Sequence, residues 1–249
     1  VKTMKLIYIS SAQYNLKNPY GLSKEAAEKL IINLAQDINL STTIFRLPGV
    51  FGKWSKPNYN SVVATFCYNM AHNLPIQIHE PNKIINLVYI DDVVEGLINE
   101  ISNINGNLEY GNITPKYEIS LQELADKIRE FTQIQNTMVI PNVGSGFDRA
   151  LYSTYLSYVP HNKFKYEIPC YKDKRGIFVE MLKNKNTGQV SFFTAGIGIT
   201  RGGHYHHSKN EKFLVISGKA LFRFRNIITN KTIELITSDD KMEIIDTVP

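Results

Sequence analysis

The sequence predicts an α/β unit followed by an all-β unit, and two observations support this. Between residues 5 and 140, short apolar runs typical of buried parallel strands alternate with segments whose apolar residues recur at helical spacing. From about residue 165 onward, short strand-like runs follow one another, separated by glycines and Asn/Lys turns. Alternating strands and helices are typical of a sheet covered by helices. Successive strands without helices are typical of an antiparallel barrel or sandwich.

Composition limits the classes of protein that fit. Lys and Arg exceed Asp and Glu by 28 − 23 = 5, which suits an anionic small substrate or simply a solvated surface. No basic run with interleaved aromatics supports nucleic-acid binding. The two cysteines are not in paired spacing, and there is no 18-residue apolar run or signal-peptide pattern. We therefore expect a cytoplasmic protein that binds neither nucleic acid nor membranes.

Each element of the first unit is expected from its apolar pattern. Strands are short apolar or β-branched runs, expected at 5–10, 42–49, 74–79 and 85–90. Helices carry apolar residues three and four positions apart and are expected at 20–38, 61–73, 92–102 and 120–134. Asp91 is placed to cap the third helix, and Ser120 with Glu123 has capping-box spacing for the fourth.

The second unit is expected to contain antiparallel strands and no amphipathic helix. Its strand-like runs are GIFVEML, QVSFF, EKFLVIS, KALFRFRN, KTIELIT and KMEIID. We place the first domain at 1–150, a linker at 151–165 and the second domain at 166–249.

The segment NPYGLSK places a tyrosine and a lysine four residues apart at a helix start. Tyr20 and Lys24 then share one helix face. An ammonium beside a phenol favours the phenolate, and such a phenol can give a proton to a carbonyl oxygen as hydride arrives at the carbon. Ser10 and Ser11 end the preceding strand, where a hydroxyl can hold that carbonyl. The spacing alone is weak evidence, because both residue types are common in helices.

The wider context strengthens this interpretation. YISSAQ, NPYGLSKEAAEKL, IFRLPGVFG and LVYIDDVVEGL occur in an order and spacing that resembles the extended short-chain dehydrogenase/reductase family, which acts on nucleotide sugars. The resemblance implies the C-terminal half of a Rossmann-type domain. It implies that Ser11 binds the substrate carbonyl, that Tyr20 is the catalytic acid, and that Lys24 is its partner and a ligand of the nicotinamide ribose.

The same resemblance implies further contacts. Pro48 adjoins the cofactor, and Arg46 and Asn60 contact the sugar nucleotide; Gly49 stands where the family often has Asn. That family binds its dinucleotide through a glycine-rich turn after the first strand, and no such turn precedes residue 5. We therefore expect the chain to begin late in the sheet, and the choice between NADPH and NADH stays open.

The segment HYHHSKNE concentrates possible metal ligands. On a strand, His204 and His206 project to one face and His207 to the other. With Glu211 they can supply three ligands to a divalent metal, although a polar edge strand is the alternative. The spacing of these ligands between Gly198 and Gly218 resembles the first cupin motif. The resemblance implies a partial cupin domain, a jelly-roll β-barrel with Zn²⁺, whose fourth ligand is a histidine from a later motif.

A second resemblance gives one of these histidines another role. DKRGIFVE and TRGGHYH resemble the nucleotide-sugar epimerases of the cupin superfamily, in which the corresponding histidine removes a proton beside a keto group. This implies that His204 is a base, that Arg175 contacts a diphosphate and that Glu180 belongs to the sugar site. A coordinated nitrogen cannot also accept a proton; we favour metal ligation for His204 because the glutamate completes the metal pattern.

Together, the reductase-like half, the cupin-like half and the stretches FGKWSKPNYNSVVATFCY and LYSTYLSY resemble one family. It comprises the bifunctional capsular-polysaccharide enzymes of the N-acetyl-L-fucosamine pathway. The resemblance implies a zinc-containing homodimer. Its cupin epimerises a UDP-4-keto-6-deoxy-N-acetylhexosamine at carbon 3, and its reductase domain then reduces carbon 4 with NADPH. The alternatives are another nucleotide-sugar 4-reductase, or a reductase with a non-catalytic metal-binding cupin that dimerises.

Overall fold

The computed structural model describes residues 4–104 and 107–247. The chain divides into two compact units, Val1–Thr194 and Ala195–Pro249. Among the described residues, no helix is long and apolar enough to cross a membrane.

The first unit alternates strands and helices, as the sequence predicts. Its strands up to residue 120 are β1 (Lys5–Ser11), β2 (Ser41–Leu47), β3 (Gly49–Phe51), β4 (Ile84–Tyr89), β5 (Leu108–Gly111) and β6 (Tyr117–Ser120). Its helices are α1 (Pro19–Asp37), α2 (Val62–Ala71), α3 (Ile90–Ile101), α4 (Leu121–Thr132), the single turn α5 (Ile134–Thr137) and α6 (Gly146–Leu156). The four predicted helices are confirmed, whereas β5 and β6 were not predicted.

Parallel pairing brings several strand ends to one edge. One sheet has the order β1-β2-β5, with all pairs parallel. Its register places Ser10 opposite Arg46 and Ser11 opposite Leu47. A second sheet has the order β3-β4-β6, where β4 is parallel to β3 and antiparallel to β6. The carboxyl ends of parallel strands meet at the same edge, which is where open α/β sheets bind ligands.

The core explains why the amphipathic segments are helical. The apolar face of α4 is buried through Leu124, Ala125 and Ile128. The helix begins with the predicted capping box: Ser120 Oγ accepts from the Glu123 amide at 3.2 Å, and the Glu123 carboxylate accepts from the Ser120 amide at 3.0 Å. These faces pack with α2, α6 and β3 into one apolar cluster.

Two local predictions were wrong. The run at 74–79 forms no strand. Asp91 does not cap α3, because Tyr89 occupies the N-cap position and Asp91 lies inside the first turn. Separately, residues 151–165, predicted as a linker, include the second half of α6, whose Leu151 is completely buried in the core. The domain limits themselves stay predictions.

The strands from residue 170 onward pair with one another in antiparallel fashion, which confirms the all-β prediction. Three strands, β7 (Cys170–Asp173), β8 (Gly176–Asn184) and β9 (Gly188–Phe193), form one sheet. This sheet lies in the first unit, where Lys183 exchanges backbone hydrogen bonds with Met138 and Ile140 at 2.6 and 2.8 Å.

The described residues of the second unit form two antiparallel strand pairs. β10 (Glu211–Leu214) pairs with β13 (Ile244–Thr247), and β11 (Lys219–Arg225) pairs with β12 (Thr232–Ser238). Residues 199–210, which include the histidines, form no strand, so the expectation of a histidine-bearing strand was wrong.

Candidate functional site

The start of α1 is built by the residues of the NPYGLSK segment. Asn18 is the N-cap, and its Oδ1 accepts from the Gly21 amide at 2.7 Å. Pro19 fits the first turn, where its missing N–H costs nothing. A Cβ at Gly21 would lie 2.2 Å from the Leu16 carbonyl oxygen, so only glycine lets the preceding turn approach this closely. The helix start is therefore fixed against the loop that leaves β1.

Tyr20 and Lys24 share one face of α1, as their spacing predicts. The Lys24 Nζ lies 5.9 Å from the centre of the Tyr20 ring and 5.7 Å from that of Tyr8. It also donates to the Ile9 carbonyl oxygen at 3.3 Å, which attaches the helix to β1. The Tyr20 side chain is 51% exposed and accessible to a ligand. The Tyr20 phenol is thus open to solvent and close to an ammonium, which agrees with the predicted role as a proton donor.

The two serines at the end of β1 have different surroundings. Ser11 is partly exposed, and its Oγ accepts from the Gln13 amide at 3.1 Å. Ser10 is buried, and its Oγ donates to the Glu28 carboxylate. The partly exposed hydroxyl of Ser11 thus suits the predicted carbonyl contact better than that of Ser10.

Arg46, predicted to contact the sugar nucleotide, is held by a glutamate. Its Nη2 and Nε donate to Glu28 Oε2 at 2.7 and 3.1 Å. Its guanidinium also lies 3.5 Å from the ring centre of Tyr14 and 4.4 Å from that of Tyr110. The Arg46 side chain remains 31% exposed and is therefore accessible to a substrate. Its role as a substrate contact stays a prediction.

The charge of Glu28 is stabilised despite burial. Burial acts to raise the pKa of its carboxyl, but the hydrogen bonds from Arg46 and Ser10 more than offset this, and the pKa lies below its ordinary value. The same ion pair raises the pKa of Arg46. Both groups therefore stay charged at neutral pH.

The other residues singled out from the sequence are partly or fully exposed, and their roles stay predictions. Pro48 separates β2 from β3 and is partly exposed, and Asn60 is exposed just before α2. Asp91 forms an ion pair with Lys53 at 3.5 Å. Arg175 is bound to Asp173 through Nη2 at 2.6 Å, and Glu180 pairs with Lys183 at 2.5 Å.

His204, His206 and Glu211 converge in the second unit. One ligand atom from each lies within 4.8 Å of the others. The rings of His204 and His206 are 4.9 Å apart, and the His206 Nε2 lies 3.8 Å from Glu211 Oε2. His207 instead contacts Tyr205, with the ring centres 5.3 Å apart. His207 is thus not part of the ligand cluster, as predicted, although this segment does not form the expected strand.

These three residues fit a divalent cation. Two ligands of a tetrahedral zinc at roughly 2.0–2.1 Å are about 3.4 Å apart, so side-chain shifts of about 1 Å close the site. Among the described residues, the buried Nε2 of His206 has no hydrogen-bond partner. Lys209 Nζ donates a hydrogen bond to the other carboxylate oxygen of Glu211, Oε1, at 2.7 Å. The Oε2 atom of Glu211 faces His206.

The sequence pattern did not reveal the polar cluster behind the tyrosine. Glu28, Tyr14 and Tyr110 come from a helix, a loop and β5, and only folding brings them to Arg46. One signal was present: Glu28 lies four residues after Lys24, on the same helix face.

This fold and this site define a class. A parallel sheet with a Tyr/Lys pair on the helix that follows a serine-ended strand is typical of nucleotide-sugar oxidoreductases. In agreement, residues 6–113 match the NAD dependent epimerase/dehydratase family. Residues 171–249 match the polysaccharide biosynthesis C-terminal domain. The first match supports a nicotinamide cofactor.

Comparison with individual proteins narrows the class. The chain is 52% identical to the UDP-2-acetamido-2,6-beta-L-arabino-hexul-4-ose reductase of Pseudomonas aeruginosa, over 100% of this chain and 67% of that protein. The crystal structure of the capsular polysaccharide assembling protein CapF from Staphylococcus aureus superposes with a TM-score of 0.90 at 40% identity, over 99% of this chain and 68% of that one. The chain belongs to the family that contains these two proteins.

A more distant structure supports the fold alone. The UDP-glucose 4-epimerase of Thermus thermophilus, in complex with NAD, superposes with a TM-score of 0.51 at 18% identity, over 62% of this chain and 63% of that one.

Proposed function

We propose that this protein reduces the 4-keto group of a UDP-2-acetamido-2,6-dideoxy-hexos-4-ulose in the biosynthesis of a surface polysaccharide. The observation that carries the proposal is the Tyr20/Lys24 pair, attached by Lys24 to the strand that ends in Ser11. The name of the Pseudomonas aeruginosa relative supplies the substrate class.

The roles of the chain's own residues follow from their positions. The Ser11 hydroxyl donates to the keto oxygen and orients it. The Tyr20 hydroxyl transfers its proton to that oxygen as negative charge develops there, and the Lys24 ammonium stabilises the resulting phenolate. A bound nicotinamide cofactor, NADPH in our proposal, supplies hydride to carbon 4. In this proposal Lys24 would hold its ribose, and Pro48, which follows β2, would adjoin it.

We further propose that the second unit binds Zn²⁺ through His204, His206 and Glu211. The convergence of their ligand atoms within 4.8 Å and the unpartnered His206 Nε2 support this. A bound zinc supplies a Lewis acid that polarises a carbonyl. In this proposal the cupin-like domain epimerises carbon 3 before reduction, with Arg175 and Glu180 at the sugar, in a cytoplasmic homodimer.

The substitution Tyr20→Phe tests the reductase proposal. Tyr20→Phe keeps the ring and removes the proton, so we expect kcat for 4-keto reduction to fall by about 10²–10⁴ with KM little changed. Stopped-flow oxidation of NADPH with the UDP-4-keto sugar measures this. Tyr59→Phe is the matched control, because Tyr59 is also an exposed tyrosine. Turnover of Tyr20→Phe near that of the control would refute the proposal.

The nucleobase of the preferred substrate distinguishes this proposal from the alternative nucleotide-sugar 4-reductase. If a deoxythymidine diphosphate 4-keto sugar were reduced with a higher kcat/KM than the UDP sugar, the protein would be another nucleotide-sugar 4-reductase.

A further inference from the structure

A glutamate on the same face of α1 as Tyr20 and Lys24 is buried. Tyr20, Lys24 and Glu28 follow one another at intervals of four along this helix. Glu28 is only 3% exposed. A carboxylate is almost never fully buried unless it is paired, because its desolvation is costly. Its partners therefore show what the burial achieves.

Those partners come from both strands of the neighbouring parallel pair. Ser10 of β1 donates its hydroxyl proton to Glu28 Oε1. Arg46 of β2 donates from Nη2 to Oε2 at 2.7 Å and from Nε to both oxygens at 3.1 and 3.2 Å. Ser10 and Arg46 are direct neighbours in the β1–β2 register. One carboxylate thus attaches α1 to two adjacent strand ends at once.

This attachment lies next to the residues of the proposed reaction. Ser10 immediately precedes Ser11, and Glu28 lies one helical turn beyond Lys24. Among the described residues, Lys24 also links α1 to β1 at this end, through a hydrogen bond to the Ile9 carbonyl oxygen at 3.3 Å and a contact with the Tyr8 ring. A movement of α1 along or away from the strands must break the charge-assisted bonds of Glu28, which are the stronger ones.

We propose that Glu28 is a positioning residue for reduction, which fixes Tyr20 and Lys24 relative to Ser11 by holding α1 on the ends of β1 and β2. The inference rests on the proposed function. Arg46 serves it as the counter-charge, and Tyr14 and Tyr110 cover the guanidinium. A misplacement of about 1 Å costs on the order of 10²-fold in rate, so the precision of this attachment affects kcat.

The chain contains a matched control at the opposite end of the same strand pair. Glu100 of α3 accepts from Lys5 of β1 and from Thr43 of β2, the latter at 2.8 Å. This is again a partly buried carboxylate that joins a helix to both strands, with its pKa lowered by these hydrogen bonds against the effect of burial. Unlike α1, which holds Glu28, the helix α3 that holds Glu100 carries no predicted catalytic residue.

The test compares Glu28→Gln with Glu100→Gln in the full chain, with NADPH and the UDP-4-keto sugar. We expect both to lower the melting temperature by similar amounts. Glu28→Gln should also lower kcat by about 10- to 100-fold with KM changed less than about twofold, whereas Glu100→Gln keeps kcat within about twofold. Equal kcat values for the two variants would overturn the inference.

A double-mutant cycle separates positioning from general damage. If Glu28 acts through Tyr20, then adding Glu28→Gln to Tyr20→Phe should cost less than about threefold further in kcat. A full repeated loss in that background would overturn the inference. Should Glu28→Gln not fold, Ser10→Ala replaces it: the ion pair remains, and we expect a kcat loss of roughly fivefold to tenfold, whereas an unchanged kcat refutes positioning.

The proposed function fails on a different result. Retained turnover in Tyr20→Phe would reject the reductase assignment, and the positioning role with it. Loss of turnover in Tyr20→Phe together with normal turnover in Glu28→Gln would reject the positioning role alone.

Discussion

The two candidate sites of this chain are organised in different ways. The Tyr20/Lys24 site lies at the start of a capped helix that is hydrogen-bonded to the parallel strand β1. His204 and His206 lie in a segment without regular secondary structure, and only Glu211 begins a strand. Sites on regular elements are held in place by packing, whereas a site in a loop relies on its ligand to order it. The first site is therefore held in place by regular structure, whereas the second is closed by the metal ion in our proposal.

Burial in the two units follows the same division. The first unit contains an extended buried cluster in which Leu151 is completely inaccessible. Among the described residues of the second unit, Thr237 and Ile245 are buried, and the strands of the β11–β12 pair are mostly exposed, as Leu235 is at 41%.

The largest effect should come from the core of the first unit. Leu151→Ala removes a completely buried side chain and leaves a cavity, so we expect a loss of about 2–5 kcal/mol in the free energy of unfolding. Leu235→Ala, the matched change on the exposed strand β12, should cost less than about 0.5 kcal/mol. Urea titrations followed by circular dichroism measure both. Similar losses would mean that Leu235 is covered in solution.

Metal binding should stabilise the second unit by a smaller amount. Zinc at a hundredfold excess over its Kd stabilises the folded state by about 2.7 kcal/mol, because only the folded chain brings the three ligands together. We expect slower amide hydrogen exchange in residues 195–247 on adding zinc, and no change in the first unit.

The neighbouring histidine provides the control for this effect. His206→Ala should abolish the zinc-dependent protection, whereas His207→Ala should retain it, because His207 contacts Tyr205 instead of the ligand cluster. Equal loss in both variants would contradict the ligand set.

Acid should have the smallest effect and should act on the first unit. The pKa values of Glu28 and Glu100 lie below the ordinary glutamate value of 4.5. A lowered folded-state pKa stabilises the fold above the unfolded value, and this contribution is lost as pH falls from about 4.5 through the folded value. The double variant Glu28→Gln/Glu100→Gln should be less stable than the unaltered chain at pH 7. Its urea midpoint should also fall less steeply between pH 5 and pH 3. A decline as steep as in the unaltered chain would contradict these shifts.

Several features of the sequence predicted structure correctly because they are local. The capping box of Ser120 and Glu123 and the helical spacing of Leu124 and Ile128 depend only on neighbours within one or two turns. The Tyr20/Lys24 spacing is local for the same reason. The run at 74–79 was predicted wrongly because a short apolar alternation does not form a strand without a partner to pair with.

The sequence by itself determined helices α1 to α4, the change to antiparallel β structure and the residue types of both candidate sites, because periodicity, capping and motif spacing act over short stretches of chain. Only the tertiary structure decided that Glu28 is buried, since its partners Ser10 and Arg46 lie 18 residues away on either side and meet it through the β1–β2 register. It likewise brought the buried His206 Nε2 to face Glu211. Burial and pairing of charges depend on which distant segments fold together, and no local pattern contains that information.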